Sequence, residues 1–469
     1  MTLRLYDTKA RLLRDFVPID PDNVTMYVCG PTVQSGPHLG HLRGALSFDL
    51  LRRWLAHHHQ RVTFVRNVTD IDDKVLEKAG PDEPWWALAY RMEQEFSRAY
   101  DAIGILPPTY EPRATGSIPQ MIGLIARLIE RGHAYAAQGD VYFDVRSWQA
   151  YGALTRQSVD AMEAAADADP RGKRDSHDFA LWKGAKPGEP PTATWESPWG
   201  PGRPGWHIEC SAMAHRYLGE AFDIHGGGLD LRFPHHENEL AQSAAAGHGF
   251  AQYWVHNGLV TVGDQKMSKS LGNFLLADEV LADHDPLVVR YALAAAHYRS
   301  GLDVSASSFR EAEAALERIR GFLERAVRLL RDETRDLRLT AAVPERFAAA
   351  MDDDLGVPQA LAVVHETVRS GNAAVEADDR DSVARAFAEV AVMTGVLGLD
   401  PLDPVWSGTG DGAAGRALDA LVRTMLAQRA DARAAKDWGT ADRIRDAIAA
   451  AGITLEDTPH GTHWSVSDG

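Results

Sequence analysis

The chain reads Val24-Thr25-Met26-Tyr27-Val28, later His38-Leu39-Gly40-His41, and then Val62-Thr63-Phe64-Val65, and this succession decides its fold. The first and last stretches are apolar and rich in β-branched residues, which favours buried strands. Between them, apolar residues recur at the spacing of one helix face: Leu42, Ala45, Leu46, Leu50 and Trp54. The pattern predicts a parallel strand–helix–strand unit in an α/β fold, with a ligand site at the carboxyl ends of the strands.

Composition restricts the class of protein. With 469 residues, 45% of them hydrophobic and 25% charged, the chain should fold into about two to four domains. No apolar run approaches the roughly 20 residues that span a bilayer, and residues 1–5 lack the pattern of a secretory signal. We therefore expect a cytoplasmic protein without a membrane partner.

The net charge of −17 bears on nucleic-acid binding. Contact with phosphates needs Lys and Arg, so this charge argues against nonspecific binding to DNA. Any nucleic-acid partner should be recognised by its shape and by a few placed contacts.

His38-Leu39-Gly40-His41 stands where the loop after the first strand meets the helix. A helix N-terminus binds anions through its free backbone N–H groups, and a glycine lets a nucleotide approach the backbone. The two histidines add donors for a triphosphate. Taken alone, so short a motif fits an ordinary surface loop better.

Lys266-Met267-Ser268-Lys269-Ser270 is the second motif. Two lysines three residues apart, with small hydroxyl residues nearby, suit a loop that closes over pyrophosphate and stabilises the charge of a transition state. A solvated basic loop is the alternative. Finding both motifs in this order, about 230 residues apart, favours one nucleotide site over two unrelated loops.

Four residues have side chains that suit a metal ion: Cys29, Cys210, His235 and Glu239. His235 and Glu239 are four residues apart and share a face if their segment is helical. His236 has Leu240 at the same spacing, so His235 is the better candidate ligand. Two thiolates, an imidazole and a carboxylate make a reasonable Zn²⁺ set, but two buried cysteines beside a surface helix explain the pattern about equally well.

Longer blocks of sequence carry a family resemblance. The two nucleotide motifs resemble the signatures of class I aminoacyl-tRNA synthetases, with Leu39 where that family usually has Ile. Several blocks resemble those of cysteinyl-tRNA synthetases in particular: Cys29-Gly30-Pro31-Thr32, 67–74, 178–183, 205–213, His225-Gly226-Gly227-Gly228 and Pro234-His235-His236-Glu237-Asn238-Glu239. The resemblance extends from about residue 3 to residue 466.

This resemblance implies one Zn²⁺ per chain, on Cys29, Cys210, His235 and Glu239. It implies that ATP binds with Mg²⁺ and that the catalytic residues are His38, His41, Lys266 and Lys269. The expected ATP-binding residues are His38, Gly40, His41, Gly226, Gly227, Asp230, Lys266, Ser268 and Lys269. The expected pocket for substrate cysteine comprises Cys29, Thr69, Trp206, His207 and His225. A helix cap remains an alternative for Asp230, and core positions remain alternatives for Trp206, His207 and His225.

The implied reaction has two steps. ATP activates L-cysteine to cysteinyl-adenylate with release of pyrophosphate, and cysteine then passes to the 2′-hydroxyl of the terminal adenosine of tRNA(Cys). Apolar packing would separate cysteine from serine by only about 1–3 kcal/mol, whereas zinc binds a thiolate far more readily than a neutral alcohol. Selection by zinc would remove the need for editing. The resemblance also implies a monomer.

The expected organisation is a Rossmann-type parallel-sheet catalytic domain split by an insertion, followed by a helical bundle and a small anticodon-binding module. In residues, the divisions are 1–115 and 201–260 for the two catalytic halves, 116–200 for the connective insertion, 261–307 for the lysine-motif loop and stem-contact region, 308–400 for the bundle, 401–415 for a linker, and 416–469 for the terminal module. Arginines at helical spacing and Trp464 make that module suitable for an RNA loop.

Two other functions remain open at this point. The cysteine ligase of mycothiol biosynthesis shares the fold and the motifs but joins cysteine to an amino sugar and needs no anticodon-binding module. A tRNA-binding regulator without catalysis should have lost a motif lysine, a motif histidine or a metal ligand, and this sequence retains them all.

Overall fold

The computed structural model describes residues 2–58, 61–162, 172–262, 265–266, 275–406, 413–458 and 461–466. Its strands are β1 Arg4–Asp7, β2 Leu12–Asp15, β3 Asn23–Val28, β4 Arg61–Arg66, β5 Ala134–Ala137, β6 Asp140–Phe143, β7 Phe179–Gly184, β8 Gly202–Pro204, β9 Ala221–Gly228, β10 Phe250–Asn257, β11 Val260–Val262, β12 Gln265–Lys266, β13 Leu302–Asp303, β14 Ile453–Thr458 and β15 Gly461–Val466. Its α-helices are α1 Leu39–His57, α2 Asp73–Lys78, α3 Trp85–Ala102, α4 Ile118–Glu130, α5 Trp206–Leu218, α6 His235–Ala245, α7 Ala277–Asp283, α8 Pro286–Ala294, α9 Ala306–Leu330, α10 Glu333–Thr340, α11 Glu345–Asp352, α12 Val357–Glu376, α13 Arg380–Leu397, α14 Ala413–Ala434 and α15 Trp438–Ala450. The chain forms two compact units, residues 1–402 and 403–469.

The central sheet of the first unit has four parallel strands in the order β10-β9-β3-β4. In β3, the side chains of Val24, Met26 and Tyr27 are all fully buried, as is usual for an inner strand of a parallel sheet. Helix α1 connects β3 to its parallel neighbour β4, which confirms the predicted unit. The chain moves outward from β3 to β4 and in the other direction from β9 to β10. The carboxyl ends of β3 and β9 therefore lie at the switch point where such folds bind ligands.

The insertion forms an antiparallel sheet of its own, in the order β5-β6-β7-β8. It begins with α4, close to the predicted start at residue 116, but it continues beyond the predicted end at residue 200. Its edge strand β8 pairs with β7, with Arg203 opposite Lys183. This strand was not predicted because its sequence, Gly202-Arg203-Pro204, contains glycine and proline, which are unusual in strands. Proline is tolerated here because β8 lies at the edge of the sheet.

Helices α9 to α13 form the predicted bundle. Helix α9 starts at Ala306, slightly before the expected residue 308, because Ser305 and Ser308 form a capping box. Apolar residues recur along α9 at the spacing of one helix face, and this stripe is buried at four positions and half-buried at one: Leu316, Ile319, Leu323, Leu330 and, half-buried, Val327. Within the described residues, none of the helices combines the length and apolar character of a membrane span.

The second unit consists of α14, α15 and a β-hairpin. Helix α15 starts at Trp438 with Asp437 as its N-cap, which separates it from α14. The tail of the chain, in which Thr, Pro and Gly are frequent, pairs as β14 and β15, with Leu455 opposite Trp464. Trp464 is half-buried and packs against the small core of this unit. Residues 407–412 of the predicted linker lie outside the described residues.

Candidate active site

The N-terminus of α1 carries the first nucleotide motif. His38 is the N-cap residue, and its Nδ1 accepts a hydrogen bond from the backbone N–H of Gly40 at 3.0 Å. Nδ1 of His41 accepts from the backbone N–H of His38 at 3.2 Å, which completes a capping box. Because both Nδ1 atoms are acceptors, a neutral ring at either position carries its proton on Nε2 and donates from there.

The environment of His41 determines its charge. Burial and then the neighbouring His38 lower the pKa of His41 from its usual value to about 3. His41 is therefore neutral at pH 7 and offers a hydrogen-bond donor rather than a positive charge. Its ring packs edge-on against Phe96 of α3, with 4.9 Å between ring centroids, which fixes its orientation.

Of the second nucleotide motif, the structure describes the backbone of its first residue, Lys266, and the chain resumes at Leu275. Lys266 belongs to β12 and pairs through its backbone with Thr261 of β11, whereas Ser268 and Lys269 lie outside the described residues. The chain that resumes at Leu275 returns to the start of α1: the backbone N–H of Leu39 donates to Leu275 O at 3.1 Å, and His38 forms a β-bridge with Leu276. The segment that starts at Leu275, a few residues after the second motif, is therefore paired with the first motif through its backbone.

The four candidate metal ligands converge at the switch point of the sheet. Cys29 follows β3, Cys210 lies on α5, and His235 and Glu239 lie on the first turns of α6. Glu239 Oε1 is 3.2 Å from Cys29 Sγ and 3.0 Å from His235 Nε2. One ligand atom from each of the four residues lies within 4.8 Å of all the others. His235 and Glu239 therefore lie on one face of a helix, as their spacing of four residues predicted.

The ionisable groups of this cluster shift one another's pKa values. Burial, reinforced by Cys210, raises the pKa of the Cys29 thiol well above its usual value. Burial also acts to raise the pKa of Cys210, but hydrogen bonds from Cys29 and His235 lower it to about 6. Burial acts to lower the pKa of His235, but Glu239 outweighs it and raises that pKa to about 10. Thiolates and a neutral imidazole are the forms that bind metal ions, so a cation that binds to these residues would release protons.

A second set of potential ligands shares two residues with the first. It combines Cys29 and Glu239 with His225 and His236, again within 4.8 Å. His236 Nε2 lies 4.0 Å from Glu239 Oε1, farther than His235 Nε2, while its Nδ1 is 2.8 Å from His256 Nε2. Sequence reasoning set His236 aside because of its spacing from Leu240, and it overlooked that residues three apart on a helix also lie close together.

Three of the four other residues expected around substrate cysteine surround this cluster. Trp206 is half-buried, and its ring lies 4.2 Å from that of His235. His207 Nδ1 is 3.0 Å from His235 Nδ1, and burial followed by His235 lowers the pKa of His207 well below its usual value. His225 is fully buried, stacked on Tyr27, with Nε2 3.7 Å from Cys29 Sγ. All three side chains therefore lie beside the candidate metal ligands.

Thr69 reaches the cluster through Asn67, a residue to which sequence reasoning gave no role. Asn67 Nδ2 donates to Thr69 Oγ1 at 3.2 Å, and its Oδ1 accepts from the backbone N–H of Gly30 at 2.9 Å and lies 3.5 Å from Cys210 Sγ. Thr69 in turn donates to the buried carboxyl group of Glu209 at 2.9 Å. A Cβ atom at Gly30 would overlap the backbone carbonyl of Asn67. The strand ends approach this closely because residue 30 is glycine.

The glycines that end β9 pack closely against residues of α1 and α6. A Cβ atom on Gly226 would overlap the ring of Phe48 on α1, and one on Gly227 would crowd Leu231 and His236. Asp230 is exposed within a short 3-10 turn, Leu229–Arg232. Because α6 begins only at His235, Asp230 does not cap that helix, and the helix-cap alternative is wrong for α6.

Family comparisons agree with this geometry. Residues 15–314 match a model described as tRNA synthetases class I (C) catalytic domain. Residues 346–401 match the DALR domain, and residues 416–464 match the cysteinyl-tRNA ligase anticodon binding domain. The fold resembles that of Mycobacterium tuberculosis methionyl-tRNA synthetase in complex with methionyl-adenylate, with a TM-score of 0.57, 15% identity, and coverage of 85% of this chain and 96% of that one.

Curated relatives match over their full length. The chain is 64% identical to a cysteine–tRNA ligase of Leifsonia xyli subsp. xyli, over 99% of this chain and 100% of the relative. It is 62% identical to that of Clavibacter michiganensis subsp. michiganensis over 99% of each chain, and 58% identical to that of Micrococcus luteus over 100% of each. On these matches, the chain belongs to the cysteine–tRNA ligase family of class I aminoacyl-tRNA synthetases.

Proposed function

We propose that this chain activates L-cysteine with ATP and transfers it to the 2′-hydroxyl of the terminal adenosine of tRNA(Cys), with Zn²⁺ selecting the substrate thiol. The observation that carries the proposal is the convergence of Cys29, Cys210, His235 and Glu239 within 4.8 Å at the sheet's switch point. A buried set of two sulfurs, one imidazole and one carboxylate is suited to zinc. When bound there, zinc would supply a Lewis acid that prefers a thiolate to an alcohol.

For the activation step, we assign the triphosphate to the N-terminus of α1. The positive end of its helix dipole and the Nε2–H of neutral His41 are suited to phosphate oxygens. Lys266 and Lys269 would add positive charge as pyrophosphate leaves, together with Mg²⁺. The substrate carboxylate is already ionised, so the attack requires positioning and charge rather than a general base.

We assign the remaining predicted residues to binding. Gly40, Gly226 and Gly227 would allow the nucleotide to lie against the backbone, Asp230 would contact the ribose, and Ser268 the phosphates. Trp206, His207 and His225 would enclose the bound cysteine beside Cys29. Thr69 would act through its hydrogen bond to Glu209, which orients the floor of this pocket.

The transfer step takes tRNA as the acceptor rather than an amino sugar. The match of residues 416–464 to an anticodon-binding domain favours this choice, because an amino-sugar ligase has no use for such a module. Two observations support the proposed division into catalytic, bundle and anticodon-binding regions. A separate compact unit starts at residue 403, and two family models match residues 15–314 and 346–401. We further propose a monomer that works in the cytoplasm, where the thiols of Cys29 and Cys210 remain reduced.

The test is cysteine-dependent exchange between ATP and pyrophosphate, measured without tRNA, with bound zinc quantified in the same samples. Wild type should exchange with cysteine and not with serine, and chelated wild type should recover when zinc is returned. Cys210→Ser should lose zinc and exchange together. If the variant lost its zinc yet still preferred cysteine to serine, selection by zinc would be wrong. If wild type exchanged with no amino acid, the enzymatic function itself would be wrong.

The acceptor is tested separately. Wild type should transfer labelled cysteine to a transcript of tRNA(Cys). Transfer to an amino sugar in place of the transcript would overturn the choice of acceptor but leave the activation step intact.

A further inference from the structure

Arg43 lies on α1, two residues after His41 of the first nucleotide motif, and it is only 2% exposed. Among the residues that the structure describes, none forms an ion pair with it. Its guanidinium instead donates to backbone carbonyls of one stretch of chain: Leu293, Ala296, His297 (at 2.8 Å) and Ser300. Burial lowers the pKa of Arg43 to about 10, which still leaves the guanidinium charged at pH 7. A buried charge without a countercharge is costly, so these carbonyls have to stay in place around it.

These carbonyls lie at the end of α8 and in the α8–β13 turn, which we define as residues 295–301. Arg43 holds one side of this turn. Asp354, which is 3% exposed, holds the other side. Its carboxylate accepts from Tyr298 OH at 2.7 Å and from Arg299 Nε at 2.6 Å. The α8–β13 turn is therefore fixed between α1 and the helical bundle.

The α8–β13 turn also packs against the segment that enters β11. The backbone N–H of Gly258 donates to Tyr298 O at 2.8 Å. A Cβ atom on Gly258 would overlap the carbonyl oxygen of Ser300, one of the four that Arg43 binds. This close approach requires glycine at position 258. A shift of the turn would therefore move the start of β11.

Strand β13 connects the turn to the second nucleotide motif. The N–H of Leu302 donates to Leu259 O at 2.9 Å, and β13 lies parallel to β11. The N–H of Val304 donates to Thr261 O at 2.9 Å. On its other edge β11 pairs with β12, where Thr261 lies opposite Lys266, the first residue of the motif. A continuous series of backbone contacts therefore leads from the α8–β13 turn to the start of the second motif.

We propose that Arg43 is a positioning residue for amino-acid activation: it fixes the α8–β13 turn against α1 and thereby sets the distance between the two nucleotide motifs. This inference rests on the proposed function, in which both motifs act on one triphosphate. Arg43 acts through the turn and not by contact with substrate, because its donors are directed at backbone carbonyls. A guanidinium offers five donors in a fixed fork, whereas an ammonium offers three from a single point. Arg43→Lys therefore keeps the charge but releases part of the turn.

The test is a double-mutant cycle on the full chain, with cysteine-dependent exchange between ATP and pyrophosphate as the assay. Wild type, Arg43→Lys, Lys266→Ala and the double variant are compared. In Arg43→Lys, kcat should fall by about tenfold to a hundredfold, while KM for cysteine and the zinc content stay those of wild type. Lys266→Ala should cost roughly fivefold less in kcat in the Arg43→Lys background than in wild type, because a displaced motif has less to lose.

The matched control is Arg290→Lys, the same substitution at another fully buried arginine that donates to backbone carbonyls, those of Ile103, Gly104 and Leu397. It should lower the temperature of unfolding but keep kcat and the full cost of Lys266→Ala. An unchanged kcat in Arg43→Lys, an equal cost of Lys266→Ala in both backgrounds, or an equal loss of kcat in Arg290→Lys would overturn the proposal. If wild type exchanged with no amino acid, the proposed function would fail instead.

A second variant covers the case in which Arg43→Lys does not fold, which thermal unfolding would show. Gly258→Ala keeps Arg43, but its Cβ atom would overlap the carbonyl of Ser300 and displace the same turn. It should lower kcat and reduce the cost of Lys266→Ala in the same way, again with the zinc content of wild type. A wild-type kcat or an undiminished cost of Lys266→Ala in this variant would show that the turn does not position the motif.

Discussion

The carboxylate of Asp49 on α1 lies 2.6 Å from Nη2 of Arg290 on α8, and both side chains are fully buried. Arg290 also donates to the carbonyl of Leu397 at 2.8 Å, at the end of α13. One ion pair therefore connects the helix that carries the first nucleotide motif to the helical bundle. Its energetic weight can be measured.

Asp49→Asn should destabilise the protein by about 3–5 kcal/mol, because it leaves the Arg290 guanidinium buried without a countercharge. The measurement is the free energy of unfolding in urea. The matched control is Asp353→Asn, which removes an exposed carboxylate bound to Arg4 at 2.6 Å and should cost less than about 1 kcal/mol. Equal costs for the two variants would show that the buried pair has no special weight.

The same pair predicts a dependence on pH. Burial acts to raise the pKa of Asp49, but Arg290 and Arg53 outweigh it and hold that pKa below its usual value. The stabilisation should be complete above the pKa of an unfolded aspartate, about 3.9, and lost as pH falls through the lower folded pKa. Acid unfolding of Asp49→Asn should therefore lack this part of the transition, while Asp353→Asn should follow wild type.

The two overlapping ligand sets make different predictions for adjacent histidines. If the metal is held by Cys29, Cys210, His235 and Glu239, His235→Asn should lose most of the bound zinc, whereas His236→Asn should keep it. The reason is that His235 Nε2 lies nearer to Glu239 Oε1, at 3.0 Å against 4.0 Å. Zinc content per chain is measured by atomic emission after dialysis. The reverse pattern would assign the metal to the set with His225 and His236.

His38 allows capping and catalysis to be separated. Asparagine is a good N-cap residue, so His38→Asn should keep the stability of α1 while removing the imidazole. His38→Ala should lose about 1 kcal/mol of stability as well. Both variants should reduce kcat for pyrophosphate exchange by about 10²–10³-fold, with a smaller change in KM for ATP, if the ring acts on the transition state. An unchanged kcat in His38→Asn would limit this histidine to capping.

Two glycines predict opposite effects of alanine. Gly30→Ala would force a Cβ atom into the carbonyl of Asn67, and it should destabilise the fold by about 1–3 kcal/mol and weaken zinc binding. Gly123→Ala, inside α4 with open space at its Cβ position, should stabilise the protein by about 0.5–1 kcal/mol. Thermal unfolding and zinc content of both variants check this contrast. A destabilised Gly123→Ala would contradict the reasoning about open space.

The sequence predicted much of the fold because its signals are local. Buried strand β3, the start of α1 and the stripe on α9 follow from short-range patterns of apolar residues and caps. Strand β8 and the terminal hairpin were not predicted because strand pairing depends on contacts between separate segments, and the composition of these segments resembles that of turns. Local propensity does not contain such tertiary pairing.

The candidate site was predictable to the extent that motifs and a helical repeat define it. The grouping of His235 with Glu239 needed only the period of a helix. No role in the site was predicted for Asn67 and Glu209, because a single amide or carboxyl side chain has no distinctive sequence pattern. Only the fold brings them beside Gly30 and Thr69. The competing position of His236 likewise depends on its hydrogen bond to His256, 20 residues away.

Cys29 and Glu239 lie 210 residues apart and belong to opposite sides of the insertion. An ion bound between them would hold the two ends of that long segment together only in the folded chain, because the unfolded chain does not bring the four ligands to one place. Its binding free energy would therefore add to the free energy of unfolding, and removal of the ion would take that contribution away. Metal supply would then control how long the two halves of the sheet remain together, as well as which amino acid is chosen.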